Sequence, residues 1–154
     1  MPVGRYYLND PNAPKPNSAT RIGTNVLLEW DGKLLLEQRW DCSEWGLVGG
    51  RLRNGESYTR GISRELKEET GIFLPENAFR LLRVVDDDRI ASYQDGTVWR
   101  MIIVLFHAVL PQEPKLKSSR ESSSLRFFTR EEIRGIPVVE THLDLVEQWL
   151  RMER

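Results

Sequence analysis

The stretch that decides the reading of this chain is GGRLRNGESYTRGISRELKEETGI, residues 49–72. It opens on two glycines, passes a third at Gly55 beside Glu56, and then takes on helical spacing. Ser57 offers a side-chain oxygen to the first free N–H groups of a helix, and Gly71 can adopt the left-handed conformation that ends one. The pattern therefore predicts a helix from Ser57 to Thr70. Tyr58, Ile62 and Leu66 recur every four residues and form its expected apolar stripe. Glu65, Glu68 and Glu69 lie three and four apart, so they should share a face. Like charges at that spacing cost only roughly 0.2–0.5 kcal/mol per pair, and an acidic helix face is as a rule simply a solvated one.

The flanking residues favour a second reading of those carboxylates. A hard divalent cation takes several oxygen ligands and keeps part of its water. Glu65, Glu68 and Glu69, with Glu56 at the helix entrance, supply oxygens of that kind, and the glycines could turn a backbone carbonyl toward the same ion. A site of this sort repels anions when empty and holds a polyphosphate when charged with metal.

Outward from this segment, TRIGTNVLLEW and KLLLEQRW are two apolar runs joined by Asp31-Gly32, which predicts a β-hairpin. WGLVGG reads as a short strand ending in glycines. FRLLRVVDD and TVWRMIIVLFHAVL read as further strands, with Asp95-Gly96 at a turn. PQEPKLKSSRESSS is a polar loop, LRFF a short strand, and Thr129 caps a short helix, REEIRG. The last helix is expected from Val139 to Met152, with Leu143, Val146 and Leu150 on one face. Residues 1–19, rich in Pro and Asn, read as an N-terminal arm that Tyr6 and Tyr7 could pin to the body. Residues 20–154 read as one domain, a mixed β-sheet with helices on its faces.

Composition sets the outer bounds. The 154 residues are 40% hydrophobic and 29% charged, with a net charge of −1, so no global field draws the chain to nucleic acid or membrane. A single cysteine, Cys42, forms no internal disulfide and suits a reducing cytoplasm, the expected location. Neither a signal-peptide pattern nor a membrane-length apolar run is visible.

Residues 50–72 carry a resemblance. The chain resembles the Nudix hydrolases of MutT-like type, whose box reads G-x5-E-x7-R-E-U-x-E-E-x-G-U, with U a bulky aliphatic residue. Gly50, Glu56, Arg64, Glu65, Leu66, Glu68, Glu69, Gly71 and Ile72 fill every position. The resemblance implies an α/β fold, the Nudix α/β/α sandwich, with the box as loop–helix–loop. It implies an enzyme that hydrolyses the diphosphate bridge of a nucleoside diphosphate linked to another group, using Mg²⁺ or Mn²⁺. Nucleoside triphosphates, nucleotide sugars and ADP-ribose all qualify as substrates. Carried over by position, Glu65, Glu68 and Glu69 would ligate the metal together with the Gly49 carbonyl. Glu56 would serve the site through water or help activate the nucleophile, and Arg64 would hold a catalytic glutamate. Some members place the base in a downstream loop, which makes Glu121 a candidate. Val48 stands where the family often has Pro and Arg53 where it often has Glu, so both bear on substrate class.

Further candidates come from the residues themselves. Trp45 and Arg53 adjoin the glycine loop and are expected at the substrate. Trp40, Tyr93, Trp99 and Phe128 could stack on a base, although core packing competes for each. DDDR at 86–89 reads as a solvated turn, and His107 and His142 as structural. The expected partner is a nucleotide-derived small molecule rather than nucleic acid or membrane, and a homodimer is compatible with the sequence. Two other functions stay open: a catalytically silent Nudix-like domain that senses a nucleotide, and a related isoprenoid diphosphate isomerase using Cys42.

Overall fold

The computed structural model describes residues 4–117 and 122–152. Its strands are β1 (Gly4–Leu8), β2 (Arg21–Trp30), β3 (Lys33–Arg39), β4 (Trp45–Gly46), β5 (Gly49–Arg51), β6 (Arg80–Val85), β7 (Arg89–Tyr93), β8 (Val98–Val109) and β9 (Ser122–Phe128). The helices are α1 (Tyr58–Thr70), α2 (Arg130–Ile133) and α3 (Glu140–Arg151). The strands make one mixed sheet in the order β1-β7-β8-β2-β3-β4, with β5 on β2, β6 on β8 and β9 on β3. Its centre is the parallel pair β2–β8, in register from Arg21↔Met101 to Glu29↔Val109. The other pairings are antiparallel.

Alternation along the central strands builds a core on each face. Val26 and Leu28 join Leu35, Val104 and Phe106 beneath Ile62 and Leu66 of α1. Leu27 joins Leu34, Leu36 and Leu105 beneath Leu145, Val146 and Trp149 of α3. This is the α/β/α arrangement. Turn chemistry follows the sequence: Asp31 and Gly32 take φ of 51° and 71° at the β2–β3 hairpin. Ser57 accepts from the Arg60 N–H to cap α1, and Gly71 closes it at φ 79°.

Four expectations change. The N-terminal arm contains a strand: β1 pairs with β7 from Gly4↔Tyr93 to Leu8↔Arg89. On α1, Tyr58 is exposed, and the inward stripe continues from Ile62 and Leu66 into Glu69 and Thr70. On α3, Leu143 is exposed while Thr141, His142, Leu145, Val146 and Trp149 point inward. The helix is turned this way because its first residues are tied from below. Arg89 donates to the Thr141 carbonyl at 2.5 Å, and the Leu47 N–H donates to His142 Nδ1 at 3.0 Å. DDDR is no free turn either. Arg89 is fully buried and paired with Asp87 and Asp144.

Candidate active site

The glycine loop places the site. β5 pairs with β2 through Gly23↔Arg51, Thr24↔Gly50 and Asn25↔Gly49. Gly49 has φ 153°, and a Cβ there would stand 1.9 Å from the Thr24 carbonyl oxygen, so only glycine fits. A Cβ on Gly50 would fall 2.5 Å from Glu65 Cδ: the Glu65 carboxylate lies directly on the bare strand.

Arg64 organises the carboxylates. Its Nε and Nη2 donate to the two oxygens of Glu56 at 2.6 and 2.9 Å. Nη1 donates to Glu65 at 2.9 Å and to Glu68 at 3.1 Å, and Nη2 also reaches the Arg51 carbonyl at 3.2 Å. The bidentate pair, helped by the Arg53 N–H at 3.0 Å, pulls the Glu56 carboxyl down to about 2 and keeps it ionised.

The three glutamates of α1 do not share one solvated face. Glu68 is exposed between Arg64 and Arg53 (3.2 Å), Glu65 is half-buried, and Glu69 is only 5% exposed. Helical geometry requires this, because adjacent residues 68 and 69 point about 100° apart. Glu69 lies beside Glu65 and Glu37, a buried residue of β3. Burial first, then the charges of Glu37 and Glu65, push the Glu69 carboxyl well above the usual range. Its Oε2 is buried without a hydrogen-bond partner.

Hard carboxylate oxygens, one of them buried and unpartnered, are the right donor chemistry for a divalent cation. Among the described residues, however, no three acidic, histidine or cysteine side chains are gathered tightly enough to ligate one ion. Arg64 holds Glu65 and Glu68 where they are.

A cleft of about 640 Å³ opens beside Glu65 and Glu69. Glu37, Glu65 and Glu69 face it with Gly49 and Gly50; Arg21, Arg39, Arg51 and Trp99 also line it. A smaller apolar cavity of about 170 Å³ adjoins it, lined by Leu47, Met101, Ile103 and Val139 with His142. Arg39 is held by Asp41 through two contacts of 2.9 Å, and Tyr6 Oη donates to the same carboxylate at 2.7 Å.

The other sequence candidates fall as follows. Arg53 is exposed on Glu68 and borders a shallow depression with Asn54. Trp45 packs edge-on against Phe128, with centroids 4.8 Å apart, in the core beneath α3. Glu121 lies outside the described residues. Tyr93 and Trp99 stack on each other at the cleft. Sequence reading missed Glu37, although a period-two count from Leu35 puts it on the α1 side. It also missed Arg21, Arg39 and Asp41, which carry no local signal.

The family model described as the NUDIX domain matches residues 19–149, most of the chain. The chain belongs to the Nudix family. A MutT-like protein of Streptomyces ambofaciens is 31% identical over 130 residues, covering 82% of this chain and 75% of the relative. The nucleoside triphosphatase NudI of an Enterobacter species is 28% identical over 109 residues, 70% and 77% of the two chains. Among solved structures, the bifunctional NMN adenylyltransferase/ADP ribose pyrophosphatase of Francisella tularensis, complexed with AMP and manganese, superposes with a TM-score of 0.72 at 22% identity. That match covers 90% of this Nudix chain but only 42% of the Francisella one, so it speaks for the fold. The protein is an enzyme, a Nudix pyrophosphohydrolase acting on nucleotide-linked diphosphates. Among the described residues, no helix is long and apolar enough to cross a membrane.

Proposed function

We propose that this enzyme carries out metal-dependent hydrolysis of the diphosphate bridge in a nucleoside diphosphate linked to another group, such as a nucleoside triphosphate, a nucleotide sugar or ADP-ribose. The observation that carries the reading is the carboxylate group of buried Glu37 and Glu69 and half-buried Glu65 beside Gly49–Gly50, with the orphaned Glu69 Oε2 among them. Three acids pressed together in a cleft destabilise the free protein, and a cation removes that cost. Glu65, Glu68, Glu69 and the Gly49 carbonyl would hold Mg²⁺ or Mn²⁺, which supplies charge neutralisation at the phosphate oxygens.

The chain's own residues do the rest. Arg64 fixes Glu65 and Glu68 and is itself fixed by the ionised Glu56, so the helix carboxylates meet the substrate in one arrangement. Glu37 and Glu69 lie close enough to share a proton, which gives the cleft a group able to take one from the attacking water. The arginines across the cleft attract the polyanion. One relative is named a nucleoside triphosphatase, which supports that substrate kind.

The test is a panel of nucleoside triphosphates, ADP-ribose and nucleotide sugars with Mg²⁺ or Mn²⁺, products identified by mass spectrometry. Cleavage within the bridge is expected. Release of phosphate from nucleoside monophosphates, with every diphosphate-linked compound left intact, would overturn the reading.

A further inference from the structure

Two arginines of the cleft lack what every other cleft cation has. Arg39 is paired with Asp41, and Arg64, behind the cleft, with three glutamates. Among the described residues, neither Arg21 nor Arg51 has a carboxylate within ion-pair distance.

The sheet sets these two side by side. Gly23 is the register partner of Arg51, and Arg21 lies two residues before Gly23 on the same face. The arginines are therefore diagonal neighbours, roughly 7–8 Å apart at the backbone. The residue between them has no side chain. The Arg21 guanidinium rests 3.7 Å above the Trp99 ring, which is itself backed by Tyr93 at 4.8 Å. This cation–π stack immobilises the fork and leaves its N–H edge open. Burial, and then the like charge of Arg51, lower the proton affinity of Arg21, as expected for neighbouring guanidiniums.

Such a pair is unfavourable alone and favourable around a dianion, which can accept charge-assisted hydrogen bonds from both forks. Arg51 and Gly50 point to opposite faces of β5, and both arginines line the cleft that Gly50, Glu65 and Glu69 also line. An anion held by Arg21 and Arg51 therefore shares the cleft with the carboxylates, and the dianionic group of a polyphosphate substrate is its terminal phosphate.

We propose that Arg21 and Arg51 form a subsite for the terminal phosphate of the substrate, so that the enzyme favours nucleoside triphosphates over nucleotide sugars and ADP-ribose, whose far ends are uncharged. This rests on the hydrolase reading above.

The experiment separates the two. Titration calorimetry with tripolyphosphate, in the presence of a chelator, should show binding to the wild type and affinity weaker by about tenfold or more in Arg51→Gln and in Arg21→Gln. Arg51 is exposed, so its variant tests the subsite even if Arg21→Gln folds poorly. Equal binding in wild type and variants overturns the subsite. In turnover assays, the ratio of kcat/KM for a nucleoside triphosphate over that for the matching nucleotide sugar should fall about tenfold in Arg51→Gln. A ratio that does not move overturns the terminal-phosphate assignment and leaves the hydrolase reading standing. A wild type inert to every diphosphate-linked compound defeats the hydrolase reading, and the calorimetry then decides the subsite alone.

Discussion

A methyl group added at Gly49 would lie 1.9 Å from a backbone oxygen of β2, whereas one added at Gly50 would meet only the tip of the Glu65 side chain. The backbone cannot retreat from the first collision; a flexible carboxylate can swing away from the second. Gly49→Ala should therefore cost about 3 kcal/mol or more in urea unfolding. Gly50→Ala should stay within about 1 kcal/mol of wild type, yet lose about a hundredfold in turnover because Glu65 is displaced. Similar losses of stability in both would show that Gly50 is structural. His142 offers a second residue-level test. Burial depresses its pKa from 6.5 to about 3, and its Nδ1 must stay unprotonated to accept from the Leu47 N–H. Above pH 6.5 both the folded and the unfolded chain hold it neutral, and stability is full. Between 6.5 and 3 the unfolded chain binds a proton that the fold refuses, so stability falls by up to about 1.4 kcal/mol per pH unit. His142→Asn keeps an acceptor near that position and cannot titrate, so its stability should fall less steeply over the same range. Parallel curves would place the loss elsewhere.

At the scale of elements, α1 was legible because its signals are local. Ser57, Gly71 and the Ile62–Leu66 spacing all act within a turn of where they stand. The burial of Glu69 was not legible, because it depends on Glu37, which strand pairing brings from 32 positions away in sequence. The same holds for α3. Its periodicity allowed two faces, and the choice was made by Arg89 and Leu47, neither of them in the helix. Burial of Glu69 among acids makes Glu69→Gln a direct test of its role. The variant keeps the shape and removes an acid from a crowded site, so in chelator it should melt at the same temperature as wild type or higher. With Mg²⁺ added, the wild type should gain stability by mass action and the variant should gain less. Turnover should drop by orders of magnitude. A variant with full activity and the wild-type response to Mg²⁺ would remove Glu69 from any metal site.

For the whole molecule, the sandwich and its mixed sheet followed from the order of apolar runs and from the box. What the order could not give was the strand made by Gly4–Leu8. Its five residues alternate weakly and are held by β7, Tyr93 and Asp41 rather than by their own pattern. The central parallel pair has a further consequence. β2 and β8 pair residues 80 positions apart in sequence, Arg21 against Met101, and nearly every inward side chain of both strands is buried only when they do. During synthesis, the hairpin of β2 and β3 thus leaves the ribosome with Val26, Leu27 and Leu28 along an unpaired edge, and waits for β8. Refolding from urea should be slow for a chain of this length, and slower as protein concentration rises, because waiting edges find one another. A fragment ending at residue 97 should be unable to fold and should aggregate, while one ending at residue 117 should show partial protection of the β2 amides. Rapid, concentration-independent refolding would mean the hairpin is sheltered by something other than β8. The strand that carries Arg21 to the cleft is thus among the last to be secured, so the newly made chain has no working site until its second half has arrived.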